Sequence, residues 1–110
     1  MRYILGFLAV AGLALSATAA SAQTPAEKGQ AVYTAQKCMM CHAIAGKGNA
    51  KGSLDDVGKK LTADEIRQWI VDPATMTAKA KAERKPAMKA YPALPKADLD
   101  ALVTYLSGLK

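Results

Sequence analysis

Cys38-Met39-Met40-Cys41-His42 holds both cysteines and the single histidine of a 110-residue chain. Two residues three apart on a helical turn lie on one face, so the two thiols project side by side. That spacing suits two thioether bonds to the vinyl groups on one side of a porphyrin. A histidine placed directly after the second cysteine is carried beneath the metal, where an imidazole nitrogen coordinates it. Cys-x-x-Cys-His is the attachment pattern of a c-type haem. The expected cofactor is one haem c per chain, with Cys38 and Cys41 as its covalent anchors and His42 as the proximal iron ligand.

Other chemistry for these five residues is less well supplied. A Cys-x-x-Cys redox pair usually accompanies a βαβ pattern, and no such pattern occurs here. A structural zinc site needs four ligands, and the chain offers two Cys and one His. A disulfide across two intervening residues would close a very small loop and stabilise little.

The amino-terminal residues agree with this chemistry. Residues 1–22 have the form of a secretory signal peptide: Arg2, an apolar run from Ile4 to Leu15, and a small-residue end at Ala20-Ser21-Ala22. Cleavage is expected after Ala22, with Ala19 as the alternative. The apolar run is well short of the roughly 20 residues that span a bilayer. The expectation is therefore a soluble periplasmic protein without a membrane span after processing, with residues 23–110 as one domain. An uncleaved amino-terminal anchor is the competing arrangement.

Those 88 residues carry a net charge of +5, and 16 of them are alanine. Only 18 are Leu, Ile, Val, Tyr or Trp, and none is Phe. A chain so small and so poor in large side chains excludes two domains and a large self-sufficient core. Small domains of this kind commonly close around a staple such as a cofactor. A covalent haem would supply the missing apolar bulk.

Periodicity predicts an all-α domain. Ala26–Lys37 reads as a helix with Val32 and Tyr33 on one face. Ala43–Lys60, with four glycines, reads as loop. Thr62 and Glu65 form a capping-box signature opening a helix with Ile66, Trp69 and Ile70 on one face. Asp72-Pro73 ends it, and alanine-rich residues 74–82 can form a further helical turn. Pro86, Pro92 and Pro95 enforce an irregular path, with Pro95 expected in the first turn of a last helix. Leu99, Leu102, Val103 and Leu106 make the apolar stripe of that helix, and Gly108 suits its end. Arg67 falls off the apolar face and is expected to be solvated.

Nearly the whole of residues 23–110 resembles the small class I bacterial cytochromes c. The resemblance rests on Gly29 with Tyr33, on Cys38–His42, on Leu61-Thr62-Ala63-Asp64-Glu65-Ile66 with Trp69-Ile70, on Met88 before Tyr91-Pro92-Ala93-Leu94, and on Leu102-Val103-Thr104-Tyr105-Leu106. It implies a small cytochrome c fold of three to five helices wrapped around one haem. The first and last helices would cross at Gly29, with Tyr33 and Tyr105 packed around the crossing. The chain departs from the family at one place. A Gly-Pro-x-Leu stretch commonly follows the haem motif there, and its proline carbonyl accepts from the proximal imidazole. Here Lys51-Gly52-Ser53-Leu54 stands instead, leaving a carbonyl among Lys51–Ser53 for that role.

With one histidine, two-histidine ligation is excluded. Met39 and Met40 lie within the attachment turn and cannot reach the far face. Met88, in a proline-stiffened stretch and at the place the resemblance implies, is the expected sixth ligand, with Met76 as fallback. The resemblance also places Trp69 near the haem, against plain core packing as the alternative. Tyr91 is a candidate for a propionate contact, against a surface aromatic. His and Met ligation raises the reduction potential and fills both axial positions, which points to electron transfer without a substrate site, and so to a carrier and not an enzyme. Residues 79–89 carry +4 of the +5. In the family this segment borders the haem edge, where positive charge would steer a redox partner with an acidic patch. The alternative is a solvated loop. No nucleic-acid motif accompanies the charge. The expected protein is a monomeric periplasmic electron carrier. The alternatives are a haem subunit docked permanently to a larger dehydrogenase or oxidase, and a gas-binding protein with an open sixth site.

Overall fold

The computed structural model describes Gly12 and residues 23–110. The expected signal peptide and its cleavage points at Ala19 and Ala22 otherwise lie outside the described residues. Among the described residues, no helix is long and apolar enough to cross a membrane.

Helix α1 spans Pro25–Ala35. Thr24 caps it by accepting from the Glu27 N–H, and Pro25 takes the first position, where a missing donor costs nothing. Gly29, Val32 and Tyr33 form its buried face. The helix stops two residues before the expected Lys37, because Lys37 adopts left-handed backbone with φ of 57°. That change of direction starts the 3₁₀ turn Cys38–Met40.

The segment expected to be loop has more order than its composition suggested. Strands β1 (Ala43–Ile44) and β2 (Lys47–Gly48) pair antiparallel about Ala45-Gly46. A 3₁₀ turn at Ala50–Gly52 and a one-turn helix α2 at Val57–Lys60 follow. Two-residue strands are too short to show alternation, and a single helical turn cannot show a 3.6-residue period.

Helix α3 covers Ala63–Val71, with both reciprocal bonds of the Thr62–Glu65 capping box formed. Asp72 ends α3 and caps helix α4, Pro73–Ala80. Helix α5 runs Lys96–Ser107. Pro95 is its N-cap, in extended backbone, and not part of the first turn as expected. Its fixed φ directs the chain into the helix from just outside.

Helices α1 and α5 form the principal packed pair. A Cβ on Gly29 would run into the Ala101 carbonyl and the Tyr105 Cβ, so the two backbones meet there. Tyr33 and Tyr105 pack edge to face beside the crossing, centroids 6.1 Å apart. Val32, Tyr33, Ile66, Ile70, Leu102, Val103 and Leu106 form one core cluster from α1, α3 and α5. Arg67 is not simply solvated: its guanidinium pairs with Asp100 at 2.8 Å, joining the outer faces of α3 and α5. The result is the mainly helical arrangement of a small cytochrome c fold.

Candidate haem site

The attachment turn is built locally. His42 and Cys41 each send their N–H to the Cys38 carbonyl, at 2.9 and 3.1 Å. This closes a single turn that begins at Cys38 and ends at His42. Cys38 is half-buried and Cys41 exposed, and neither forms a disulfide. Before attachment, burial pushes the Cys38 thiol up to about 11.

The imidazole of His42 is fixed from a distance in sequence. Its Nδ1 lies 2.8 Å from the Gly52 carbonyl oxygen. A carbonyl only accepts, so Nδ1 carries the proton and Nε2 presents its lone pair, the arrangement of a metal-binding histidine with an outer-shell partner. Burial pulls the imidazole below its ordinary value; the Gly52 bond opposes this and the positive charge of Arg84 adds to it. The carbonyl sought among Lys51–Ser53 is therefore that of Gly52.

A cavity of about 290 Å³ opens beside this turn. Its wall includes Cys38, Cys41 and His42 together with Met88, Trp69 and Tyr91. The six candidate residues, distant in sequence, share one space. Met76 does not belong to it: it is buried, 8% exposed, on the inner face of α4 and not part of the cavity wall. Trp69 lies on the α3 face that turns to the cavity and is half-buried. Tyr91 is half-buried on the cavity wall, and its backbone N–H donates to the Ile70 carbonyl at 2.9 Å. Its hydroxyl approaches the Gln36 carbonyl at 3.5 Å.

These residues fit a covalently held haem. The thiols stand three apart on one turn, one imidazole nitrogen is left for iron, and leucine, isoleucine and tyrosine side chains from three helices line the remaining space. Among the described residues no group of three or more His, Cys, Asp or Glu side chains is placed to hold a metal ion by itself. Two features escaped the sequence. One is the choice of Gly52. The other is Arg84, which looked like one more charge in a basic run but donates to the Cys41 carbonyl at 2.6 Å.

Fold and site together define a small c-type cytochrome. Residues 26–110 match the family described as Cytochrome c, and the chain belongs to that family. It is accordingly an electron-transport protein with covalently bound haem c, and so with iron. It is also similar to "Cytochrome c oxidase subunit 2" of Alkalihalophilus pseudofirmus, at 29% identity over 97 residues covering 80% of this chain and 27% of that protein. The chain thus spans about a quarter of that relative's length. No solved structure matches significantly.

Proposed function

We propose that this chain is a periplasmic one-electron carrier with a single haem c, exported by a cleaved signal peptide and working as a monomer. The observation that carries the proposal is the convergence of Cys38, Cys41, His42 and Met88 on one cavity. Cys38 and Cys41 would anchor the haem, His42 through Nε2 and Met88 would hold its iron, and Trp69 and Tyr91 would serve as packing or propionate contacts. The haem, when bound, supplies a ferric–ferrous couple. The protein's part would be to hold His42 and Met88 fixed, exclude water and leave no position for a substrate. The Gly52 carbonyl holds His42 in one tautomer and one orientation.

Lys79, Lys81, Arg84, Lys85 and Lys89 are all exposed, and the segment that bears them lines the cavity through Arg84, Pro86, Ala87 and Met88. This supports docking of redox proteins with acidic patches at that edge. A second role, as a haem domain docked to a larger oxidase, draws support from the oxidase-subunit relative. Size-exclusion chromatography of the native protein separates the two, because a carrier elutes alone.

Potentiometric titration of the purified holoprotein tests the proposal. The expected result is one haem per chain, a reversible one-electron curve and slow carbon monoxide binding to the reduced form. Fast carbon monoxide binding would show an open sixth position and refute it.

A further inference from the structure

The segment carrying Met88 is weakly tied to the rest of the molecule. After α4, the Ala82 N–H reaches back to Thr77 at 3.1 Å. The next backbone hydrogen bond among the described residues is Tyr91 to Ile70. Between them the chain from 83 to 90 has no backbone partner among the described residues, and its side chains are mostly exposed. Such a segment opens easily. Yet it bears a residue that must stay fixed if it is to ligate iron.

One side chain ties this segment to the attachment turn. Arg84 Nη2 donates to the Cys41 carbonyl at 2.6 Å, across 43 residues of sequence. The other observation is at Gly52. A Cβ built there would strike both the Arg84 guanidinium and the Cys41 carbonyl. The guanidinium therefore lies against the Gly52 Cα, in space open only because that residue has no side chain. Gly52 is also the residue whose carbonyl orients His42. A single planar cation thus touches the attachment turn and the acceptor of the proximal imidazole, while standing four residues before Met88. A hydrogen bond from a charged donor is among the stronger kinds.

We infer that Arg84 is a positioning residue that latches the Met88 segment onto the Cys41–Gly52 surface and so holds the distal ligand in place. This rests on Met88 being the sixth ligand, as proposed above. Loss of the latch raises the population of molecules in which residues 83–90 have swung away and the distal position is open to an external ligand.

The test compares wild-type, Arg84→Gln and Lys85→Gln holoproteins by NMR relaxation dispersion of the reduced form and by imidazole binding to the ferric form. Arg84→Gln is expected to show an open state of residues 83–90 about tenfold more populated, the order set by one charged hydrogen bond, with α1 and α5 unchanged. It is expected to bind imidazole about tenfold more tightly, as a raised open population requires. Lys85→Gln removes the same charge from the same segment and is expected to behave as wild type. A wild-type open population in Arg84→Gln would overturn the latch, as would an equal rise in Lys85→Gln. A raised open population with unchanged imidazole affinity would uphold the latch and refute Met88 as the iron ligand.

Discussion

Gly52 stands where the related proteins commonly place proline, and it keeps the task of that position while changing its surroundings. Its carbonyl accepts a hydrogen bond from His42 Nδ1, and its bare Cα admits Arg84. The attachment motif was legible because five consecutive residues carry it. The acceptor could be narrowed only to three residues, because any backbone carbonyl offers the same chemistry and only tertiary placement selects one. Arg84 was illegible for the same reason: its partner is a backbone oxygen 43 residues away. The two methionines weighed as sixth ligand are separated by their surroundings. Met76 is buried and off the cavity wall, so Met76→Ala is expected to lower stability by about 2–5 kcal/mol and leave the haem spectrum intact. Denaturant titration alongside the absorption spectrum checks this. At the hairpin turn, Ala45 has φ of 52° and Gly46 of 79°. Two successive positive φ values are what a type I′ turn requires, and Asn-Gly serves it best. Ala45→Asn relieves alanine of the left-handed region and is expected to raise stability by about 0.5–1 kcal/mol, read from the same titration.

Among the elements, those with strong end signals were read well. The Thr62–Glu65 box predicted the start of α3, and both its bonds form, at 3.0 and 3.2 Å. Helix α4 begins at Pro73, one residue before the expected turn, because Asp72 caps it by accepting from the Thr75 N–H. The sequence of residues 43–60 predicts only loop, because glycine spacing marks where a chain turns and not what lies between the turns. Thr62→Ala is expected to cost about 1 kcal/mol. The bonds from Thr62 hold the Glu65 carboxyl below its ordinary 4.5. A carboxylate with a lowered folded-state value adds stability above its unfolded value, and that stability is lost as pH falls through the folded one. The gap in stability between wild type and Glu65→Ala is therefore expected to be full near neutrality, to shrink below pH 4.5 and to vanish in stronger acid. Thermal melts across that range measure it. At the α1–α5 crossing, Gly29→Ala forces a methyl group onto the Ala101 carbonyl. The expected loss is about 1–3 kcal/mol, with the spectrum unchanged if the helices merely shift apart.

At the scale of the whole molecule, the composition and the cofactor explain each other. Sixteen alanines and no Phe in residues 23–110 leave a core cluster of seven buried residues, with a cavity of about 290 Å³ beside it. A covalently anchored haem turns that space into core. Charge is also distributed unevenly, since +4 of the +5 lies in residues 79–89, beside the cavity mouth. If that edge receives the partner, the electron-transfer rate with an acidic redox protein falls steeply as salt rises, and Lys81→Glu flattens the dependence. A rate indifferent to salt would count against docking there. The central claim, that His42 and Met88 together hold the iron of an electron carrier, meets its most direct test in the ferric absorption spectrum of wild type and Met88→Ala. The account predicts a sulfur-to-iron charge-transfer band in the wild type, and its loss in Met88→Ala with a large fall in reduction potential. A wild-type spectrum without that band, or a Met88→Ala protein that keeps it, would contradict the account.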